Sequence, residues 1–305
     1  MAVVRLAVIT GPTGAGKSAV AMTLAAQGPV TVVSADSRQV YRGFDIGTAK
    51  PSAAERAAVP HACIDMADAD ERISAARWVA AATEAIDAAR RAGRTPLVVG
   101  GTGLYLRALF EPLFREPALE PAARAQLEGE LALRSTEDLR REVAALDPER
   151  AHLGRTQLLR AIEIARLTGR PISAWHRESP GQARFAPAYL VVERGVALGA
   201  RLVARTAAMF DAGWIEEVRH LVSSVPEGAP AWNATGYDAV RQVVRGETTL
   251  AAARHEIVVR TRQYAKRQRT WFRHQLPPDA VTAVDLEHDD ASEHVRRWWR
   301  AQEST

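Results

Sequence analysis

Eight residues near the N-terminus, Gly11, Pro12, Thr13, Gly14, Ala15, Gly16, Lys17 and Ser18, constrain this 305-residue chain more than any other stretch. They fit G-x-x-x-x-G-K-[ST] and stand between a short apolar run, Val3 to Thr10, and a helix-like segment, Ala19 to Ala26. That context is what a phosphate-binding loop requires. The glycines let the backbone curl until successive N–H groups point at phosphate oxygens. The helix N-terminus adds the positive end of its dipole, Lys17 reaches the outer phosphate, and Ser18 can hold Mg²⁺. Such a loop fits any di- or triphosphate, so a kinase, an NTPase and a transferase with diphosphate as leaving group all stay open.

The first third of the chain alternates strand and helix signals: a β-branched run at Val30 to Ser34, an alanine-rich helix at Ser74 to Arg91, and a buried-strand run at Thr95 to Val99. This is a βαβ pattern with a parallel sheet. From about Phe114 to Pro187 the character turns helical, with segments at Pro121 to Leu133, Thr136 to Leu146 and Thr156 to Leu167, the last closed by Gly169 and Pro171. Tyr189 to Val192 reads as a returning strand. Helices follow at Gly199 to Ala212, Trp214 to Ser223, Tyr237 to Val244 and Leu250 to Trp271, and a weak helix at His294 to Ala301 ends a charged tail. The expected fold is α/β: a P-loop NTPase-like parallel-sheet core over residues 1–113 and 188–305, interrupted by a helical insertion domain over 114–187.

Composition removes other classes. Hydrophobic residues are 47% and charged residues 25% of the chain, ordinary for a globular protein. No apolar run approaches the roughly 18 residues of a membrane span. The apolar start lacks a basic n-region and runs straight into the loop, so it reads as a core strand, and the expected location is the cytoplasm. The single cysteine, Cys63, reads as a small buried apolar residue. Eight histidines without i, i+4 pairing or an HExxH frame argue against a histidine metal site.

Forty basic residues against 36 acidic give a formal +4, but only three of the forty are lysine: Lys17, Lys50 and Lys266. In a chain that writes arginine nearly everywhere, these mark places where a compact ammonium is wanted. Residues 254–274 hold seven Arg or Lys against one acid, Glu256. There Arg262, Lys266, Arg269 and Arg273 recur at helical spacing and share one face, with Ile257, Tyr264 and Phe272 toward the core. Such a single-sign ladder points to nucleic acid; seven phosphate contacts would give a salt slope near ~−6 on duplex, less on single strands.

Asp36 follows the Val30 to Ser34 strand, and carboxyl ends of parallel strands face the phosphate site. Three roles compete: a partner of metal-bound water, a general base on an acceptor, or an Asx-turn. No other apolar strand of the core is expected to end in aspartate. Thr102, after the strand ending at Val99, looks into the same crevice or makes a tight turn into the next helix.

The residues then resemble a family, the bacterial tRNA dimethylallyltransferases. The resemblance is carried by GPTGAGKS, SADSRQVYRGFDIGTAKP from Ser34 to Pro51, PLVVGGTGLYLRAL from Pro96 to Leu109, RAIEIARLTGRP from Arg160 to Pro171, RTAAMFDAGWIEEV from Arg205 to Val218, and TRQYAKRQRTWFR from Thr261 to Arg273. The second segment is far more specific than the phosphate loop. Two departures stand out: the turn His152 to Arg155 is shorter than the family's, and Thr235 replaces the usual Ile before Gly236 and Tyr237.

The resemblance implies transfer of the dimethylallyl group of dimethylallyl diphosphate to the exocyclic amine of the adenosine 3′ of a tRNA anticodon, with release of diphosphate. Thr13 and Arg205 would join the loop in holding the departing charge, with Mg²⁺ on Ser18. Asp36 would be the base, since an aromatic amine attacking carbon becomes strongly acidic and a carboxylate takes the proton. The adenine would be flipped from its stack into the crevice. By the same analogy Asp36, Ser37, Arg38, Gln39, Thr102, Arg124, the turn Gln157, Leu158, Leu159, Arg160 and Ala161, and the basic ladder would contact tRNA, with the protein a monomer. A P-loop small-molecule kinase, prenyl transfer to free AMP or ADP, and a non-catalytic RNA-binding module are the alternatives.

Overall fold

Strands whose side chains are buried on both faces read as near-continuous apolar runs, and β1 (Val4–Thr10) from Leu6 onward, β2 (Val30–Ser34) and β4 (Thr95–Val99) are of that kind. In the computed structural model, which describes residues 3–111, 117, 119–178 and 183–303, they join β3 (His61–Ala62), β5 (Phe185–Glu193) and β6 (Val281–Asp285) in one parallel sheet of order β3-β2-β4-β1-β5-β6. The chain leaves β1 toward β2, β3 and β4 on one side, then returns to place β5 on the other. The loops after β1, β2 and β4 therefore open together at the switch point, where α/β sheets hold ligands.

Side chains alternate across the sheet. Ala7, Ile9, Val32 and Leu97 pack with Val20 and Leu24 of α1 (Lys17–Ala25) and with Trp298 and Trp299 of α13 (Ala291–Glu303). Leu6, Val8, Val33 and Val98 face the larger core, which includes Trp78 of α3 (Ala75–Arg91), Tyr105 and Leu106 of α4 (Gly103–Phe110), Phe210 of α9 (Leu198–Asp211), Trp214 of α10 (Trp214–Ser224), Tyr237 of α11 (Tyr237–Val244) and Ile257 of α12 (Leu250–Gln275). A short capped helix, α2 (Ala53–Ala58), precedes β3.

The strand β6 corrects the expectation that no further strand ends in aspartate: it runs beside Tyr189 to Glu193 and ends at Asp285. Its edge position leaves Thr282 and Ala283 exposed, so the apolar signal is thin.

The chain divides into two compact units, Met1–Phe110 with Arg184–Thr305, and Glu111–Ala183. The expected boundary at Phe114 lies outside the described residues. The other, with the core resuming at 188, is corrected to Arg184, because β5 already pairs at Phe185 with Val4. Pro187 precedes the first residue that pairs with β6, so the strand still has a free edge there.

The second unit holds α5 (Pro121–Ala132), α6 (Thr136–Leu146), α7 (Arg155–Thr168) and α8 (Ile172–Glu178) around Leu127, Leu131, Leu139, Val143, Leu158 and Ile162. Two of the expected tRNA contacts are corrected here. Leu158 and Ala161 are buried in this core, because the apolar period of α7 turns them inward. Gln157 accepts from Gly154 N at 3.0 Å as a cap on α7. Arg160 and Arg124 both ion-pair with the buried Glu163.

Candidate active site

The phosphate loop leaves β1 through Gly11, whose φ of +139° only glycine adopts readily; a Cβ there would lie 2.1 Å from Val192 O. Lys17 opens α1, and its Nζ bonds Gly11 O and Pro12 O, both at 2.9 Å. Burial pushes this ammonium down to about 8, aided by Arg205 and opposed by Asp36. Three arginines rim the loop: Arg205 Nη1 donates to Thr13 Oγ1 at 3.1 Å, Arg201 Nε to Gly14 O at 3.2 Å, and Arg194 Nε to Ala15 O at 3.1 Å. Burial also lowers the pKa of Arg205. Arg194 and Arg201 carry no motif and are invisible among so many arginines in the sequence.

A second unforeseen residue ties the site together. Gln268 is buried; its Oε1 accepts from Thr13 N at 2.8 Å and its Nε2 donates to Gly101 O at 2.8 Å. One amide thus joins the loops after β1 and β4. Its sequence signal is faint: a polar residue at a position in register with the buried Ala265 and Phe272 of α12.

Asp36 follows β2. Its Oδ1 accepts from Arg38 N at 2.8 Å, an Asx-turn that fixes the carboxylate and leaves Oδ2 for other work. Thr102 Oγ1 accepts from Ser37 N at 3.0 Å, joining this turn to the β4 loop.

The segment after Asp36 is braced from several directions. Gln39 accepts from Ser34 Oγ and donates to Thr48 O and Ala49 O. The Lys50 side chain is only 1% exposed, and its ammonium meets Tyr41 O and the carboxylates of Asp45 and Asp65. Glu217 accepts from Asp45 N at 3.0 Å and Ile46 N at 2.7 Å, and Tyr237 OH bridges Gly47 N and Glu217. Burial raises the pKa of both Glu217 and Tyr237. Ala49, Cys63 and Asp65 have positive φ without being glycine, the strain that such bracing sustains. Burial pushes the Cys63 thiol up to about 12.

Two cavities meet at Asp36. The smaller, about 90 Å³, is lined by Lys17, Ser18, Ser34, Gln39, Lys50 and His61 among others. The larger, about 290 Å³, is lined by Thr13, Asp36, Ser37, Arg38, Arg205, Trp214, Thr235, Tyr264 and Arg267 among others. Its size is near the lower end of the usual ligand-pocket range of ~300 to 1,000 Å³. Tyr264, expected in the core, borders this cavity instead; burial, then the Asp36 charge, push its hydroxyl up to about 12.

On α12, Arg262, Lys266 and Arg273 are exposed. Arg269, expected as the third rung of the same ladder, is turned to the loop rim, donating to Arg194 O at 2.6 Å.

Comparison with known proteins adds the following. The family model described as IPP transferase matches residues 39–275, a span that begins after the phosphate loop. The tRNA dimethylallyltransferase of Anaeromyxobacter sp. (strain Fw109-5) is 42% identical over 296 residues, covering 95% of this chain and 98% of that protein. The crystal structure of the tRNA isopentenylpyrophosphate transferase of Bacillus halodurans superposes with a TM-score of 0.69 at 32% identity, over 98% of this chain and 96% of that one. A eukaryotic dimethylallyltransferase described as acting on tRNA superposes with a TM-score of 0.81 at 26% identity, over 96% of this chain and 77% of that one.

Proposed function

This chain belongs to the IPP transferase family, and from that premise we propose that it transfers the dimethylallyl group of dimethylallyl diphosphate to the exocyclic amine of the adenosine 3′ of a tRNA anticodon, releasing diphosphate. The observation that carries this reading is the position of Asp36, which borders both the cavity reached by Lys17 and Ser18 and the cavity reached by Thr13 and Arg205. A carboxylate there can serve an acceptor while the loop holds a leaving group.

The roles follow from the contacts. With Thr13 N given to Gln268 and Ala15 N to Pro12 O, the N–H groups of Gly16, Lys17 and Ser18 at the start of α1 remain for diphosphate oxygens. Lys17 and Arg205 add charge where the C1–O bond breaks and diphosphate leaves with the electron pair. The amine nitrogen forms the new bond to C1, and its proton passes to Asp36. Asx-turn bonding keeps that carboxylate from rotating away.

Ser18 is exposed beside Lys17, and no cluster of three or more His, Cys, Asp or Glu able to hold an ion occurs among the described residues. That donor set fits Mg²⁺ held by one hydroxyl, water and the substrate's own oxygens. Bound there, it would neutralise charge on the diphosphate.

Ser37, Arg38 and Thr102 would receive the flipped nucleotide, while Arg262, Lys266 and Arg273 would track the RNA backbone. Gln157, Leu159, Arg160 and Arg124 would contact tRNA from the helical unit. No helix among the described residues is long and apolar enough to cross a membrane. We place the enzyme in the cytoplasm, as a monomer.

The test is a transfer assay with radiolabelled dimethylallyl diphosphate and Mg²⁺, offering unmodified tRNA, free AMP or no acceptor, with ATP hydrolysis followed in parallel. Label in tRNA alone is the expected result. Label in AMP, or ATP turnover without label transfer, would overturn it.

A further inference from the structure

The larger cavity follows two helices away from the phosphate loop. On α9, Leu202, Arg205, Thr206 and Met209 line it at helical spacing, a run of ~10 Å at 1.5 Å per residue. Leu202 marks the loop end: a Cβ added at Gly14 would lie 2.5 Å from its side chain. Trp214, just past α9, marks the far end. On α12 the polarity of the path is the same, since Gln268 touches Thr13 at the loop, and Ile257 packs at Gly236 beside the Trp214 ring.

The far end carries three apolar side chains, with Asn233 and Thr235, from the segment before Gly236, also bordering the cavity. Met209, Trp214 and Ile257 line it, and the hydroxyls of Thr48 and Thr206 are both spent on main-chain carbonyls, Phe44 O and Leu202 O. The indole is fully buried and cannot tilt away. A Cβ at Gly47 would lie 2.3 Å from it and one at Gly236 2.5 Å, while Phe210 and Tyr237 pack on it with ring centroids 5.4 Å distant. A branched hydrocarbon needs no polar partner, and Met209, Trp214 and Ile257 offer it an apolar wall.

Resting on the transfer reading above, we propose that Trp214 is the floor of the prenyl-tail pocket and sets donor chain length, admitting a five-carbon allylic diphosphate and rejecting a ten-carbon one. The rejected donor would react identically if admitted. Its C1–O bond would break with the electron pair on diphosphate, a C1–N bond would form, and the amine proton would pass to Asp36. Exclusion is therefore steric. A pocket discriminates by ~10 to 200-fold per ill-fitting methylene, so five surplus carbons against a clamped ring exceed the usual limit for an apolar pocket.

The experiment compares kcat/KM for dimethylallyl and geranyl diphosphates at saturating tRNA, with the modified nucleoside weighed by mass spectrometry. The native protein should favour the five-carbon donor by at least ~100-fold, and Trp214→Leu should narrow that ratio by ~10-fold or more. Met209→Ala opens the same end without removing the indole and should narrow it by ~3-fold, which keeps the question answerable if Trp214→Leu fails to fold. A ratio unmoved in the folded variants overturns the proposal. So does a raised KM for tRNA with an unmoved ratio, which would mean that a base occupies this end. Native protein that transfers no dimethylallyl group to tRNA defeats the transfer reading itself, a separate result.

Discussion

The cations at the phosphate loop and those on the outer face of α12 belong to one molecule but are held in opposite ways. Around the loop, Lys17, Arg194, Arg201 and Arg205 all donate to loop atoms. Their positions are fixed before any ligand arrives. Arg262, Lys266 and Arg273 are exposed and make no ion pair among the described residues. A preorganised charge stabilises one short-lived distribution of charge and is felt in kcat. A solvated one contributes through counterion release and is felt in affinity and its salt dependence.

The sharpest break of this contrast is at its centre. Asp36→Ala should lower kcat by ~10² to 10⁴ with tRNA affinity little changed, read from single-turnover rates and filter binding; an unchanged rate would remove its role as base. Arg205→Ala should cost ~10² to 10³ in kcat, with the salt slope of tRNA binding unaltered. Replacing Arg262, Lys266 and Arg273 together with Ala should do the reverse, flattening that slope by ~2 at about 0.7 per single-strand phosphate. Arg269→Ala, tied to the rim, should behave like the inner group and leave the slope alone.

The smallest effect concerns protons. Lys17 sits at about 8, below its ordinary value, so the ammonium is present below that pH and lost above it. Diphosphate affinity should fall as pH rises through 8. An arriving anion restores the charge, so binding near pH 8 should take up about half a proton, seen by calorimetry in two buffers. Lys17→Met should abolish the uptake, and its survival would assign it elsewhere.

What was legible in the sequence has local causes. The phosphate loop and the buried strands announce themselves because their chemistry lies in consecutive residues. Two of the three lysines were worth marking: Lys17 and Lys50 both fold a compact ammonium onto main-chain carbonyls. Lys266 is exposed and does not. Gln268 was missed because a buried amide looks like any helix-surface glutamine until its partners are known, and they lie in two distant loops. Arg194 and Arg201 were lost in a composition that favours arginine throughout. The strand β6 was missed because an edge strand half exposed to solvent carries little alternation. Leu158 and Ala161 show the opposite error, a motif carried over whole when its apolar members serve the core.

The bond from Gln268 to Thr13 spans 255 residues, and this has a bearing on synthesis. A ribosome delivers the loop first and its brace last. At ~5 to 20 residues per second the gap between them is roughly 10 to 50 s. Through that interval Thr13 N and Gly101 O lack their amide, and Arg205 arrives only well along the way. The nascent chain therefore carries the whole phosphate-loop motif long before it holds the assembled site.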